Sequence, residues 1–308
     1  MNIVVTGGAG FIGSKVAERL LARGCQILVV DNLVTGSKAN IPTEARFEHM
    51  AAENPKLAAA IEAFAPDAIA HISGQSSGEI GELQPLDDHS WNVASTLNLL
   101  TIASRIAVKR FVYASSMGVY GHAVGGPNGL REQDSGLPIS IYGAGKHCSE
   151  QYLQLFAQRN ITCISLRMFN VYGPGQNMNN TMQGMVSIYI SSLLKTGKVV
   201  VRGSLDRIRD FVFIDDVVDA WEKALFADLS EPFIVLNVGS GKGTSVKDLL
   251  TSIKQCVGDF PVEVADPTPA DQNTTIADVS NAKHVLQWEP KTDLERGLRQ
   301  LFAWAQQT

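Results

Sequence analysis

The segment TGGAGFIG at residues 6–13 joins a short apolar run to a helical pattern. Glycine has no Cβ atom, so the backbone can turn tightly there and approach a phosphate group closely. The amino terminus of the following helix adds N–H donors and a partial positive charge. The segment therefore predicts a loop that binds the pyrophosphate of a dinucleotide. The predicted contact residues are Gly7, Gly10, Phe11, Ile12 and Gly13.

An acidic residue follows the second predicted strand. Residues 26–31 form an apolar run that ends on Asp31, and Asn32 comes next. A carboxylate at this place can accept hydrogen bonds from the adenosine ribose of NAD, and it would repel the additional phosphate of NADP. A tight turn followed by a surface aspartate is the alternative, but the order strand, glycine loop, helix, strand and acid matches the full dinucleotide pattern. We therefore predict NAD as the cofactor.

The composition argues against several other classes of protein. The chain has 308 residues and a formal net charge of −5, so it lacks the basic surface of a nucleic-acid-binding protein. Its four cysteines form no CxxC pair and its histidines lack metal-ligand spacing, so we predict neither a disulfide framework nor a metal site. Apolar runs stay well short of the ~20 residues of a membrane span, and no signal peptide is expected. These features predict a cytoplasmic protein.

Strand and helix patterns alternate through the first half of the chain. Strands are predicted at residues 3–6, 26–31, 66–71, 110–115 and 161–167, and helices at residues 13–23, 91–107 and 142–158. This alternation is typical of an α/β fold of the Rossmann type, in which helices cover both faces of a doubly wound parallel sheet.

The pattern changes near residue 170. Residues 171–180 are rich in Gly, Pro and Asn, which predicts a loop. Beyond it, helices are predicted at residues 185–196, 246–257 and 294–306, and strands at residues 199–202 and 233–238. We predict a smaller α/β substrate-binding lobe on the carboxy-terminal side. The predicted division gives residues 1–169 and 210–238 to the NAD-binding domain, and residues 170–209 and 239–308 to the lobe.

Three residues form a candidate catalytic set. Tyr142 and Lys146 are four residues apart at the start of a predicted helix, which puts them on one face. The pKa of tyrosine is ordinarily about 10, and a neighbouring ammonium and a bound nicotinamide cation would both lower it. Ser116 ends a predicted strand, where its hydroxyl could bond a reacting oxygen. Taken singly, the tyrosine could pack on the core and the lysine could face solvent, but beside a cofactor loop the three predict catalysis.

Nine motifs extend this pattern over essentially the whole chain. They are TGGAGFIG at 6–13, DN at 31–32, HISGQSS at 71–77, NV at 92–93, SSMGVYG at 115–121, YGAGK at 142–146, LRMFNVYGPG at 166–175, RDFVFIDDV at 209–217 and NVGSG at 237–241. Together they resemble the extended short-chain dehydrogenase/reductases, the NAD-dependent epimerase/dehydratase family. The resemblance implies a nucleotide-sugar substrate and a homodimer that pairs through the helices predicted at residues 91–107 and 142–158.

The resemblance also implies roles for individual residues around the cofactor. Tyr142 would be the general base and acid of the reaction. Lys146 would bind the nicotinamide ribose and tune Tyr142, and Ser116 would hold the sugar hydroxyl. Gly74 and Asn92 would lie beside the cofactor.

The substrate side depends on residues in the second half of the chain. By resemblance, Asn170 would meet the substrate, and Arg209 would pair with its diphosphate, which a guanidinium can bind through two hydrogen bonds. A surface ion pair between Arg209 and Asp210 is the alternative. Two positions depart from the family pattern. Arg202 replaces an aromatic residue that often lies near the nucleotide base, and Thr268 stands where relatives often carry an arginine before the Pro269–Asp271 segment.

The residues after Ser116 narrow the reaction. Dehydratases of this family carry an Asp-Glu pair there, whereas this chain has Met117 and Gly118. The chain resembles UDP-glucose 4-epimerases, so we predict a UDP-hexose 4-epimerase that works through Tyr142-assisted hydride transfer to NAD and a 4-keto intermediate. A reductase of 4-keto-6-deoxy sugar nucleotides that uses NAD(P)H, and a non-catalytic NAD-binding regulator, remain as alternatives.

Overall fold

A computed structural model describes residues 1–134, 136–180, 182–266 and 274–307 of the chain. Within these ranges the strands are β1 Asn2–Thr6, β2 Gln26–Asp31, β3 Arg46–His49, β4 Ala68–His71, β5 Arg110–Ser116, β6 Thr162–Met168, β7 Asn170–Tyr172, β8 Val199–Arg202, β9 Ile208–Phe213, β10 Phe233–Val238, β11 Gly243–Ser245, β12 Val262–Ala265 and β13 Thr274–Thr275. The helices are α1 Phe11–Ala22, α2 Leu57–Phe64, α3 Gly78–Leu83, α4 Pro85–His89, α5 Ser95–Arg105, α6 Ile141–Ala157, α7 Met185–Thr196, α8 Ile214–Phe226, α9 Val246–Val257, α10 Ser280–Leu286 and α11 Leu294–Ala305.

Seven strands form one parallel sheet in the order β10-β6-β5-β4-β1-β2-β3. Successive residues of a strand face opposite sides of this sheet: Val4 and Val5 of β1 are fully buried in two different cores. Both faces are therefore covered, as expected for a parallel sheet whose strands are apolar throughout. The predicted Rossmann-type α/β fold is confirmed.

The sheet order reverses direction between β1 and β4. The chain runs outward from β1 to β3 and then returns to place β4 on the other side of β1. At such a reversal the loops after the two strands diverge, which leaves a crevice at the carboxyl ends of the strands. The glycine loop after β1 and the segment after β4 therefore both border this crevice.

The remaining strands form two smaller sheets, which together we call the small layer. Strand β9 is central in it and pairs with β7, β11 and β13, while β8 pairs with β12. The loop predicted at residues 171–180 is thus wrong at its start, because Asn170–Tyr172 pairs in parallel with β9. Strand β9 belongs to this smaller layer, whereas β10 joins the large sheet.

Asp210 of β9 holds the small layer together. Its fully buried carboxylate accepts hydrogen bonds from the N–H of Ser240 at 2.6 Å, the N–H of Gly241 at 2.9 Å and the N–H of Ala277 at 3.0 Å. A buried carboxylate is stable only when such donors replace its water. The alternative of a surface Arg209–Asp210 pair is therefore wrong, since Asp210 is a structural anchor.

The helix predicted at residues 91–107 is part of a longer helical run. Helix α4 continues through a π-helical turn at Ser90–Ala94 into α5, which ends at Arg105. Such wide turns recur at functional sites, because they change the direction of side chains along a helix. None of the helices in the described ranges is both long and apolar enough to span a bilayer.

Candidate active site

The glycine loop between β1 and α1 is folded tightly on itself. Gly7 has φ +69° and donates its N–H to the carbonyl oxygen of Val30 at 2.8 Å. A Cβ atom on Gly13 would lie 2.1 Å from the carbonyl oxygen of Gly7, and one on Gly7 would lie 2.8 Å from the nitrogen of Ser73. The loop therefore requires glycine at both places, for the backbone conformation at Gly7 and for space at Gly13.

The amino terminus of α1 is open to a ligand. Gly10 occupies the position before the helix, and no side chain accepts a hydrogen bond from the first turn. Phe11 and Ile12 are half-buried and pack on the core, which fixes the direction of this turn. The N–H groups of a first helical turn lack partners within the helix, so they are available to an anion.

The crowding at Gly13 leads to a direct test. Changing Gly13 to Ala forces Gly7 to move, and we expect NAD to bind at least about tenfold more weakly, equivalent to about 1.4 kcal/mol. Isothermal titration calorimetry with NAD measures this loss. Gly126→Ala is the matched control, because a Cβ atom there meets nothing within 4 Å. Unchanged NAD affinity in Gly13→Ala would show that the loop does not hold the cofactor.

Asp31 ends β2 beside this loop. Its carboxylate accepts the N–H of Ala9 at 3.0 Å and the N–H of Leu33 at 2.8 Å, so one acid fixes both backbones that border the predicted adenosine site. Asn32 is exposed and accepts the N–H of Val34 at 3.2 Å. Both residues lie where the sequence predicted them, at the carboxyl end of β2.

The sequence did not point to two further residues at this loop. The side-chain amide of Asn40 and the N–H of Ser37 each donate to the carbonyl oxygen of Ala9 at 3.0 Å. They hold the segment after Asp31 against the glycine loop. Polar residues after the acid were the available signal, but only the folded backbone shows which of them reach the loop.

Ser116, Tyr142 and Lys146 come together at the carboxyl end of β5. Helix α6 begins at Ile141 because the Ser140 side chain accepts the N–H of Gly143 at 3.0 Å, which caps the helix. This places Tyr142 in the first turn, with its ring beside the Ser116 hydroxyl: a Cβ atom on Gly118 would lie 3.5 Å from both. Lys146 lies one turn further along, with its Nζ atom 5.8 Å from the centre of the Tyr142 ring.

The predicted lowering of the Tyr142 pKa by Lys146 stays a prediction, and burial acts against it. Burial raises the pKa of Tyr142 to about 12, against the hydrogen bond from Ser116, which lowers it. The physical reason is that Tyr142 is only 8% exposed, while the Lys146 ammonium donates to the carbonyl oxygen of Ala114 at 2.9 Å. Burial likewise lowers the pKa of Lys146, to about 8.

Gly74 and Asn92 lie next to Lys146. A Cβ atom on Gly74 would fall 2.5 Å from Asn92 Oδ1 and 3.3 Å from Lys146 Nζ, so the three converge on one point. Asn92 is buried in the π-helical turn, and its Oδ1 atom lacks a hydrogen-bond partner among the described residues. An unpartnered buried oxygen beside an ammonium is a feature that a polar ligand can complete.

His71 at the end of β4 is part of the framework. It is fully buried between the Thr6 hydroxyl at 2.8 Å and the Thr96 hydroxyl at 3.0 Å. Burial, with a smaller effect of the Lys146 charge, lowers its pKa to about 3, so the imidazole is neutral at neutral pH. It joins the glycine loop to the helical run α4–α5.

The predicted substrate residues Asn170 and Arg209 lie in β7 and β9. The Asn170 side-chain amide donates to the backbone oxygen of Asp210 at 2.8 Å. Arg209 is only 4% exposed and donates to the Ile208 carbonyl oxygen at 2.9 Å. Arg209 is therefore a buried cation of the small layer, and the surface location in the alternative is wrong.

Arg202 of β8 forms an ion pair with a residue of helix α3. Its guanidinium lies 3.2 Å from the carboxylate of Glu79 in α3, and its side chain is about half exposed. Arg202 therefore does not simply point to solvent, and the contact with Glu79 does not direct it toward a nucleotide base. The Thr268 and Pro269–Asp271 departure lies outside the described residues.

The site fits a bound dinucleotide on three counts. The glycine loop excludes side chains at Gly7 and Gly13, the start of α1 lacks a side-chain cap, and Asn92 Oδ1 is unpartnered. Within the described part of the chain, His, Cys, Asp and Glu side chains form no group of three or more that could hold a metal ion.

The fold and these features define a dinucleotide-dependent α/β enzyme. The profile of the NAD dependent epimerase/dehydratase family matches residues 3–239. The chain belongs to this family and is an NAD-dependent enzyme.

Similarity to known proteins extends over the full length. The chain is 34% identical to UDP-glucose 4-epimerase of Mycolicibacterium smegmatis, over 97% of this chain and 96% of that protein. It is 30% identical to UDP-glucuronic acid decarboxylase 6 of Arabidopsis thaliana, over 97% of this chain and 87% of that protein. It is 34% identical to the Thermotoga maritima UDP-glucose 4-epimerase crystallised with UDP-glucose, with a TM-score of 0.95 and coverage of 100% and 99%.

Proposed function

We propose that the protein is a nucleotide-sugar epimerase that inverts C4 of a UDP-hexose. The observation that carries the proposal is the juxtaposition of Ser116, Tyr142 and the buried Lys146: the Ser116 hydroxyl and the Tyr142 ring both border Gly118, and Lys146 Nζ lies 5.8 Å from the centre of that ring. Similarity over the full length to two UDP-glucose 4-epimerases supports it.

The protein's own groups handle the proton of the reaction. The Tyr142 oxygen accepts the proton of the C4 hydroxyl, and the Ser116 hydroxyl shares that hydrogen bond and holds the sugar oxygen in place. The glycine loop and Asp31 would hold NAD, which would supply the acceptance and return of a hydride at the sugar carbon. The Lys146 ammonium favours the phenolate form of Tyr142 through its charge. Returning the proton from Tyr142 completes a cycle with no net change in the enzyme.

Inversion requires the 4-keto sugar to present its other face, so the site needs space beside the reacting groups. A Cβ atom on Gly118 would lie 3.5 Å from both Ser116 Oγ and the Tyr142 ring. Glycine at this position leaves that space open. The site also lacks an acid–base pair after Ser116, since Met117 and Gly118 follow, which favours epimerisation over dehydration.

Two buried or half-buried groups would bind the rest of the substrate. Arg209 supplies a buried positive charge in β9 and would pair with the diphosphate. Asn170 commits its amide nitrogen to Asp210, which leaves its carbonyl oxygen to accept a hydrogen bond from the sugar.

Decarboxylation of a UDP-glucuronic acid is a second candidate, and the similarity to decarboxylase 6 favours it. Its chemistry starts from the same oxidation at C4. The product is then a β-keto acid, which loses its carboxyl group as CO2 and gains a proton at C5, and the remaining 4-keto sugar would take back the hydride and a proton. The residues that handle the first step are the same, so only the substrate distinguishes the two reactions.

Incubation of the purified protein with UDP-glucose or UDP-galactose, without added cofactor, tests the proposal. We expect both sugars to approach one common mixture, followed by NMR. Release of CO2 from UDP-glucuronic acid alone would favour the decarboxylase. Oxidation of added NADH by a 4-keto-6-deoxy sugar nucleotide would identify the reductase, and NAD binding without any turnover would identify a regulator.

We also propose the domain division and the homodimer. We place the return of the chain to the NAD-binding domain at α8 rather than at residue 210, because β9 pairs within the small layer. Leu155 on α6 is 56% exposed, which leaves an apolar side chain on the helix predicted to pair. Light scattering after gel filtration should give about twice the chain mass of 33.2 kDa, and the mass of one chain would contradict the dimer.

A further inference from the structure

Asp88 in α4 is a fully buried carboxylate close to the catalytic set. Its Oδ2 atom accepts hydrogen bonds from Gln75 Nε2 at 2.5 Å and from Asn92 Nδ2 at 3.2 Å. Its Oδ1 atom has no hydrogen-bond partner among the described residues. Burying half of a carboxylate without a donor is costly, so its retention here calls for a function.

The packing around Asp88 directs it at helix α6. A Cβ atom on Gly145 would lie 3.5 Å from Asp88 Oδ1, and one on Gly81 would lie 3.2 Å from Oδ2. The carboxylate therefore sits between α3 and α6, at the turn of α6 that carries Tyr142 and Lys146. The glycines on both sides make room for it.

One oxygen of Asp88 fixes the segment beside the cofactor site. Gln75 donates to Asp88 and also to the carbonyl oxygen of Ser77 at 2.7 Å, which closes the turn after Gly74. Asn92, the second donor, is the residue whose Oδ1 atom converges with Lys146 Nζ on Gly74. Asp88 thus orients both residues that border Lys146 on this side.

The charge of Asp88 acts on Lys146. Burial lowers the pKa of Lys146, and the Asp88 carboxylate is the strongest influence that raises it again, ahead of Glu150. Glu150 is already paired with Arg167, at 2.9 Å to Nε and 2.7 Å to Nη2. Asp88 has no arginine or lysine within ion-pair distance in the described chain, so its charge is the less neutralised of the two.

Several titratable groups face this pair from the surrounding elements. They are His71 of β4, Glu82 of α3, Tyr113 of β5, and Tyr142 and Glu150 of α6. His71 is neutral at neutral pH, and burial raises the pKa of Tyr113, so neither adds charge there. Burial lowers the pKa of Lys146 and raises that of Asp88, and the carboxylates of Asp88 and Glu150 are the groups that raise the pKa of Lys146.

We propose that Asp88 is a positioning residue that keeps the Lys146 ammonium charged and in place beside Tyr142. The inference deepens the proposed function, since a charged Lys146 matters because Tyr142 is the acid–base group. Asp88 does not touch the sugar in this account. It acts through Lys146, Gln75 and Asn92.

The direction in which the pH–rate profile should move follows from the effect of Asp88 on the pKa values of Lys146 and Tyr142. The Asp88 carboxylate raises the pKa of Lys146 and also that of Tyr142. Its replacement by Asn keeps the shape and removes the charge, so both pKa values fall. Both limbs of the pH–rate profile should therefore move to lower pH, by about one unit. Loss of a purely structural contact would lower the rate at every pH without moving the limbs.

A titration that needs no sugar tests the inference separately from the proposed function. In NAD-saturated protein carrying 13C at the lysine Cε atoms, the Lys146 signal is assigned by its loss in Lys146→Met. We expect its midpoint to fall by about one unit in Asp88→Asn. The matched control is Asp87→Asn, which removes an exposed charge from the same helix and should leave the midpoint unchanged.

A midpoint that stays in place in Asp88→Asn, or that moves equally in Asp87→Asn, overturns the inference. If Asp88→Asn does not fold, the smaller neutral variant Asp88→Ser is judged by the same criterion. These results are independent of which sugar nucleotide reacts, so a failure of epimerisation cannot be mistaken for a failure of this inference.

Discussion

Changing Tyr142 to Phe is expected to lower kcat for epimerisation by about 100- to 10,000-fold, the range for loss of a general acid–base group. The phenyl ring keeps the packing of α6 on its surroundings, since Tyr142 is only 8% exposed. What disappears is the phenolic oxygen that would receive the sugar proton. Initial rates with UDP-galactose, together with NAD affinity, measure the effect.

The matched control for this change is Tyr152→Phe. Tyr152 lies on the same helix and is half-buried against the core, away from the crevice. It should retain the rate of the unchanged protein. If Tyr142→Phe reacts as fast as this control while both bind NAD equally, the assignment of Tyr142 as acid–base group is wrong.

Changing Glu150 to Ala should produce the largest loss of stability. Glu150 is 4% exposed and accepts hydrogen bonds from Ser115, Ser165 and both nitrogens of the Arg167 fork, at 2.6 to 2.9 Å. Its removal leaves the Arg167 guanidinium buried without a counter-ion. We expect the free energy of unfolding to fall by about 3–5 kcal/mol, as for other buried pairs that lose one partner.

Urea unfolding measures this loss, and Glu263→Ala provides the comparison. The Glu263 carboxylate lies 2.8 Å from Lys198 Nζ, but its side chain is 55% exposed. Ion pairs in water contribute little, so this variant should unfold close to the unchanged protein. Equal midpoints for the two variants would mean that the Glu150–Arg167 pair does not stabilise the fold.

The features that could be predicted are local in the chain. The glycine loop, the strand Gln26–Asp31 and the Tyr142–Lys146 spacing each lie within one element and its neighbour. Their conformations follow from glycine content, apolar runs and helical periodicity. The alternation of such elements predicted the parallel sheet and six of its seven strands, but not the edge strand Arg46–His49.

The features that escaped prediction depend on contacts between distant residues. Asp88 reads as a polar residue in a short helix, and only the approach of Gly81 and Gly145 buries it. Arg209 was predicted as a substrate contact, but its burial follows only from the pairing of β9 with its neighbours. The spacing of Tyr142 and Lys146 places them on one helix face, but it does not show the burial that raises the pKa of Tyr142.

In the proposed reaction, a hydride leaves the sugar carbon and returns to the same carbon inside one site. UDP-glucose carrying deuterium at C4 tests it most directly, with the purified protein in ordinary water. We predict UDP-galactose that retains the deuterium at C4, because the hydride never exchanges with solvent. Formation of UDP-galactose with hydrogen at C4, or no conversion of any UDP-hexose, would contradict the account.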